Sequence, residues 1–170
     1  MKNKYVVLAV IVGVVVILDQ WTKNLIVERF RHGESVDVIK NYFNITYVRN
    51  LGAAFGIFRD LQTGLRQSFF TLMPPIAMVV ILFMLRSTPT FEKLRVFSLS
   101  CIFGGALGNY IDRLSYGYVV DFLDFHYKEF YSWPAFNVAD ISIVCGVTFL
   151  IFLEFGLMRK EWQDKRAATS

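Results

Sequence analysis

Four long stretches of this chain carry almost no charge, and they restrict what it can fold into more than anything else in the sequence. Residues 5 to 18, YVVLAVIVGVVVIL, contain no charged group, and the apolar character resumes at Leu25 to Val27. Ser68 to Leu85 is uncharged for 18 residues and Val96 to Ile111 for 16, and a fourth run extends from about Ala135 to Leu153 with Asp140 near its start. Stretches of roughly 20 apolar residues match the thickness of a bilayer core. A water-soluble fold exposing this much apolar surface would associate. With 55% hydrophobic residues the chain is read as a membrane protein, mainly α.

The reading is a single membrane-embedded domain over residues 1–170, with spans near 5–25, 68–85, 94–114 and 137–157. The first run is short enough to suggest a cleaved signal peptide. It is followed by DQWTK and not by a small-residue cleavage site, so it is expected to be retained. Pro74 and Pro75 should bend or start the second helix. Residues 29–66 are too long for a turn, and Val36, Val38, Phe43, Ile45 and Tyr47 alternate with polar residues. Period two predicts short strands, hence a small extracytoplasmic β-sheet between spans 1 and 2. Trp21, Tyr131 and Trp133 suit the headgroup layer. Lys2, Lys4, Arg86, Lys93, Arg95 and the 159–170 tail favour cytoplasmic termini.

The formal charge of +4 is spread along the chain beside apolar runs. It fits a membrane surface and membrane phospholipids, and no basic aromatic platform for nucleic acid is visible. Cys101 and Cys145 lie inside apolar runs and are expected to be buried small hydrophobes. His32 and His126 flank no metal pattern, and Asn44-Ile45-Thr46 is an incidental match to a glycosylation acceptor.

An even number of spans brings the end of span 1, the start of span 2, the end of span 3 and the start of span 4 to one face. Those places hold Asp19, Lys23, Asn50, Asn109, Asp112, Arg113, Asp121 and Asp140. Asp121 and Asp140 are the sharpest pair. Two close carboxylates share a proton, so one can act as base on a water while the other donates to a scissile carbonyl. The alternative is structural: each carboxylate caps an element or pairs with Arg113 or Lys23, and Asp140 suits the first turn of span 4. Asp19 and Lys23, at i,i+4, and the adjacent Asp112 and Arg113 read as ion pairs or orienting groups. Asn50, Asn109 and Asn137 can each donate and accept near a carboxylate, or serve as caps. Asp124 is expected to be peripheral. Gly52 would let backbone approach closely, and Gly104 and Gly108 in GGALGN would permit close helix contact. A small transporter is the competing class. It predicts ionisable groups at several depths and often internal repeats, neither of which is visible.

DQWTK at 19–23, RNLGAAF at 49–55, GGALGNYIDR at 104–113, VVDF at 119–122 and FNVAD at 136–140 together resemble the bacterial lipoprotein signal peptidases, or type II signal peptidases. The resemblance covers roughly residues 5 to 158. It implies an aspartyl endopeptidase of four spans that removes the signal peptide from diacylglyceryl-modified prolipoproteins, cutting before the lipid-modified cysteine. It implies Asp121 and Asp140 as the catalytic dyad. Asp19, Lys23, Asn50, Gly52, Gly108, Asn109, Asp112, Arg113 and Asn137 would be supporting or substrate-binding residues. It further implies the bacterial cytoplasmic (inner) membrane, an active site near the outer face, and globomycin as an inhibitor. No metal or organic cofactor is expected, because two carboxylates supply both proton transfers. A monomer is expected.

Overall fold

The computed structural model describes residues 2–52, 63–128 and 130–167. Helix α1 spans Lys2–Arg29, and strands β1 (Ser35–Ile39) and β2 (Phe43–Asn50) follow. Helices α2 (Thr63–Ser87) and α3 (Lys93–Tyr116), strands β3 (Val119–Tyr127) and β4 (Tyr131–Ser132), and helix α4 (Val138–Ala167) complete the chain. All four helices are long and apolar enough to cross a membrane. At about 1.5 Å per residue, the 28 residues of α1 exceed a roughly 30 Å hydrocarbon core, so its ends stand in the interfaces. Ala53 to Phe55 of the RNLGAAF block lie outside the described residues, as do residues 56–62 of the expected outer segment.

Helix α3 is the most buried of the four and packs against each of the others. Small residues make that possible. A Cβ on Gly104 would stand 3.1 Å from Val15 of α1, and one on Gly105 would collide with Ala139 of α4. Outward faces carry Val10, Ile17, Phe83 and Phe152, all more than half exposed, as a helix solvated by lipid requires. Cys101 is buried, but Cys145 lies on the exposed surface, which corrects the expectation that both are interior. In a membrane bundle the outward surface is apolar too, so an apolar neighbourhood does not imply burial.

Pro74 and Pro75 sit inside α2, neither starting nor ending it. Each removes one N–H from the helix ladder. At one end of the bundle Lys4 reaches across to α2, and its ammonium donates to the carbonyls of Leu85, Arg86 and Thr88 at 2.8 to 2.9 Å. A charge first read as an orientation signal is therefore also a helix C-cap.

At the other end the strands form one antiparallel sheet in the order β1-β2-β3-β4. Half of that sheet comes from the connection between α3 and α4, so the sheet is not built only from the segment between spans 1 and 2. Strand β3 begins with four consecutive buried residues, Val119 to Phe122, so no period-two alternation marks it. Tyr47, Val120 and Phe122 pack with Ile26 of α1 into a small core that seats the sheet on the bundle.

Candidate active site

Sheet and bundle meet at the one end where nearly every singled-out polar residue gathers. Gly117 ends α3 in a left-handed conformation, with φ of 77°, and turns the chain directly into β3. Register then pairs Asp121 of β3 with Val48 of β2, and Asn50, two residues on, reaches Asp121. Asp140 stands in the first turn of α4. Asp121 is buried, at 1% exposure, whereas Asp140 is half-buried.

Two asparagines interlock between these carboxylates. Asn137 Nδ2 donates to Asp121 Oδ1 at 2.7 Å, and it also lies 3.1 Å from Asn109 Oδ1 and 3.2 Å from the Val120 carbonyl. Asn109 Nδ2 donates to Asp140 Oδ1 at 2.7 Å. The second oxygen of Asp121 accepts from Asn50 Nδ2 at 2.9 Å, and Asn50 is oriented by accepting from the Gly52 N–H at 2.8 Å. Gly52 has φ of +94°, and a Cβ there would run into the Phe70 ring, so that amide can stand where it does only on glycine.

Asn137 and Asp140 also form a reciprocal cap on α4. The Asp140 N–H donates to Asn137 Oδ1 at 2.9 Å, and the Asn137 N–H donates to Asp140 Oδ2 at 3.2 Å. This is the capping-box pattern with Asn at the cap and Asp three residues later. The capping alternative raised from sequence is thus real for Asp140. It engages one carboxylate oxygen and leaves the other directed to Asn109. The ion-pair alternative is not seen: among the described residues, neither Asp121 nor Asp140 forms a salt bridge.

The ion pairs lie immediately behind. The Lys23 ammonium contacts Asp19 Oδ2 at 2.8 Å, Asp112 Oδ2 at 3.0 Å and Asn109 Oδ1 at 3.0 Å, which uses all three of its donors. All four residues are buried. Asp19 Oδ1 accepts from the Ala139 N–H at 2.9 Å, and Asp112 Oδ2 accepts from the Val120 N–H at 3.0 Å. Gly108 is required here, since a Cβ would lie 2.6 Å from Asp19 Oδ2. Gln20, inside the DQWTK block, belongs to the same cluster, which the sequence alone does not single out. Its Nε2 donates to Asp112 Oδ1 at 2.8 Å and lies 3.2 Å from both Asp19 Oδ2 and the Gly108 carbonyl. The available signal was its i,i+3 spacing to Lys23 on the same helix face.

Burial and the neighbouring Asp140 charge push the Asp121 carboxyl up to about 7 from an ordinary value of 3.8, against the Asn50 and Asn137 hydrogen bonds and the nearby Lys23 charge. Asp121 therefore titrates near neutral pH and not in the ordinary carboxylate range. A groove of about 480 Å³ opens beside Asp140, lined by Met73, Pro74, Ala106, Asn109 and Arg113 among others. It is apolar along α2 and polar where it reaches the carboxylate. Arg113 donates to the Asn109 carbonyl at 3.1 Å, and its guanidinium lies over the Phe70 ring at 5.8 Å. Asp124 stands apart, half-buried and 3.9 Å from His126, while His32 packs edge-on against Tyr47. Among the described residues no cluster of metal-ligating side chains is found.

Comparison with known proteins adds an independent observation. The family model described as "Signal peptidase (SPase) II" matches residues 11–156. The lipoprotein signal peptidase of Syntrophus aciditrophicus (strain SB) is 42% identical over 151 residues, covering 89% of this chain and 93% of that protein. That of Clostridium tetani (strain Massachusetts / E88) is 40% identical over 157 residues, covering 92% and 96%. Two solved structures of a bacterial membrane enzyme superpose with TM-scores of 0.77 and 0.74, at 35% and 36% identity. They cover 88% and 86% of this chain, and 87% and 90% of theirs.

Proposed function

The chain belongs to the signal peptidase II family and is an aspartyl endopeptidase of that type, and from that premise we propose that Asp121 and Asp140 are its catalytic dyad. The observation that carries this reading is the amide bridge between them. Asn137 and Asn109 each donate to one oxygen of carboxylates that sit on two different elements, one buried and raised to about 7, the other bordering a groove.

Asp140 removes a proton from a water lodged between the two carboxyls, and the water oxygen bonds to the scissile carbonyl carbon. Asp121 gives its proton to the carbonyl oxygen, producing a neutral tetrahedral diol. As the diol collapses, the C–N bond breaks, the proton held by Asp140 passes to the departing nitrogen, and a diol hydroxyl proton returns to Asp121. The signal peptide leaves as a carboxylic acid, and the lipid-modified cysteine becomes the new amino terminus. No group beyond the two carboxyls and water is needed for this proton balance.

The substrate class is a prolipoprotein whose cysteine carries diacylglycerol. The apolar wall formed by Met73, Pro74, Ile76 and Ala77 suits acyl chains, and the peptide bond then lies at the polar end by Asp140. Arg113 lines the same groove and is placed to bind substrate carbonyls. Asp19, Lys23, Asn50, Gly52, Gly108, Asn109, Asp112 and Asn137 hold the dyad. Globomycin would compete for this groove. The protein works in the bacterial inner membrane with both termini cytoplasmic and the sheet outside. Supporting this, Lys4 and the basic α2–α3 connection share the end opposite the sheet.

The test is cleavage of a diacylglyceryl-modified prolipoprotein in detergent or lipid, beside the same substrate without lipid. Lipid-dependent cleavage before the modified cysteine, lost in folded Asp121→Asn and Asp140→Asn, is expected. Turnover persisting in either folded variant would remove the dyad.

A further inference from the structure

Asp121 and Asp140 ride on separate elements, so something must set the distance between them. Each follows a residue whose N–H is held by another carboxylate. Val120 N–H is held by Asp112 and Ala139 N–H by Asp19. The spacing of the dyad's two backbone segments is thereby tied to the spacing of Asp19 and Asp112. Those two are buried like charges and would move apart if left unlinked.

Two side chains link them. Lys23 touches Oδ2 of both, and Asp19 is held at its other oxygen by the Ala139 N–H, but the Lys23 and Val120 contacts of Asp112 both fall on Oδ2, which leaves that carboxylate free to turn about it. Gln20 supplies a second point, reaching the other oxygen of Asp112 while lying 3.2 Å from Asp19 and from the Gly108 carbonyl. Gly108 and Asp112 are successive turns of one face of α3, so Gln20 also joins α1 to that face. With Lys23 and Gln20 both in place, the Asp112 carboxylate cannot rotate, and the Val120 N–H it holds is fixed with it.

We propose that Gln20 is a positioning residue that sets the geometry of the catalytic pair through Asp112 and Asp19, an inference that rests on the dyad reading above. It contacts neither Asp121 nor Asp140, and its amide brings no charge. Its effect is therefore on the separation and coupling of the two carboxyls, and the coupling of close carboxyls appears in the pH dependence of turnover.

The experiment measures kcat, KM, the pH profile of kcat and the unfolding midpoint on a diacylglyceryl-modified prolipopeptide. The variants are Gln20→Met, which keeps length without donors, Gln20→Asn, which keeps the amide but retracts it, and Gln20→Glu, which puts a carboxyl against Asp112. Folded Gln20→Met is expected to lose about 10- to 100-fold in kcat, the scale of a small misplacement of reacting groups. KM should stay within about 3-fold, because the substrate contacts are intact. At least one limb of the pH profile should move, and Gln20→Glu should show the larger loss. Wild-type kcat and profile in folded Gln20→Met and Gln20→Glu would overturn the proposal. So would a loss matched by lost folded protein with an unmoved profile, or failure of all three variants to fold, since either makes the amide purely structural. Asp121→Asn and Asp140→Asn run alongside. If they retain turnover, the dyad reading itself fails. If they are inactive while the Gln20 variants behave as wild type, only the positioning role falls.

Discussion

Helix α1 carries a buried lysine near each end, Lys4 at 7% exposure and Lys23 at 2%, and the two do opposite work. Lys4 donates its hydrogen bonds to backbone carbonyls at the end of α2, with the Tyr5 ring 5.6 Å from its ammonium. Its hydrogen-bond partners are neutral carbonyls at the negative end of a helix dipole, and among the described residues it forms no salt bridge. Lys23 meets two carboxylates and an amide oxygen, and those carboxylates in turn hold the backbone that leads into Asp121 and Asp140. The first lysine joins two helices. The second balances a cluster of buried acids that would otherwise repel each other. Lysine's flexible stem and three donors serve both uses, and the environment alone decides which.

The largest expected effect comes from Lys23→Met. It leaves Asp19 and Asp112 buried without their cation, a change that costs about 3 to 5 kcal/mol. Unfolding should occur far below the wild-type midpoint, and the folded remainder should show little peptidase turnover. A variant with wild-type stability would mean that Asp19 and Asp112 do not depend on the Lys23 charge, and the contrast with Lys4 would dissolve.

Lys4→Met should cost less, about 1 to 3 kcal/mol for carbonyls left without a donor. Turnover per folded molecule should remain near wild type, since no contact of Lys4 reaches the sheet end. A large fall in kcat with intact folding would show that the two ends of α1 are coupled, which the separation of the two lysines does not predict.

The acids themselves sharpen the comparison through pH. Asp121 is raised from 3.8 to about 7, so between those values the folded protein binds a proton that the unfolded chain has released. Its contribution to stability is fully present below about pH 4 and is lost as pH rises through about 7. Asp121→Asn should flatten that part of the stability curve. If Asp121 is the proposed acid, turnover should decline along the alkaline limb near pH 7, as it loses its proton. Asp140→Asn should lower the Asp121 value, because the Asp140 charge is one of its causes. Titrating Asp121 in that variant by infrared or magnetic resonance checks the direction.

Arg95→Ala should have the smallest effect. Arg95 pairs with Glu92 at 3.0 Å and Glu154 at 2.8 Å, but the Glu154 side chain is half exposed. Pairs of this kind contribute about 0 to 1 kcal/mol and are weakened by salt. A loss as large as that of Lys23→Met would show that burial is not what separates these ion pairs.

Much of this was legible in the chain itself. Charge-free runs of bilayer length require helices, because lipid offers no hydrogen-bond partner to an open backbone. Four of them bring Asp19, Asn109, Asp112 and Asp140 to one end by counting alone, and the five motif blocks point to the family. Strand β3 was not legible, since its buried start, VVDF, shows no alternation. The side on which Cys145 lies was hidden for a related reason: facing lipid and facing a neighbouring helix select the same residue types.

What the sequence determined by itself is therefore the solvent, the span count and the set of ionisable groups gathered at one boundary, all consequences of what a bilayer tolerates. What only the tertiary structure decided is how those groups are shared out. The cap Asn137 points its amide nitrogen at Asp121, Lys23 places its donors on Asp19, Asp112 and Asn109, and Gln20 joins Asp19 to Asp112. Those choices depend on distances of about 3 Å between side chains from separate elements. Such distances follow from how α1, α3, α4 and β3 pack against one another, which spacing along a chain does not encode.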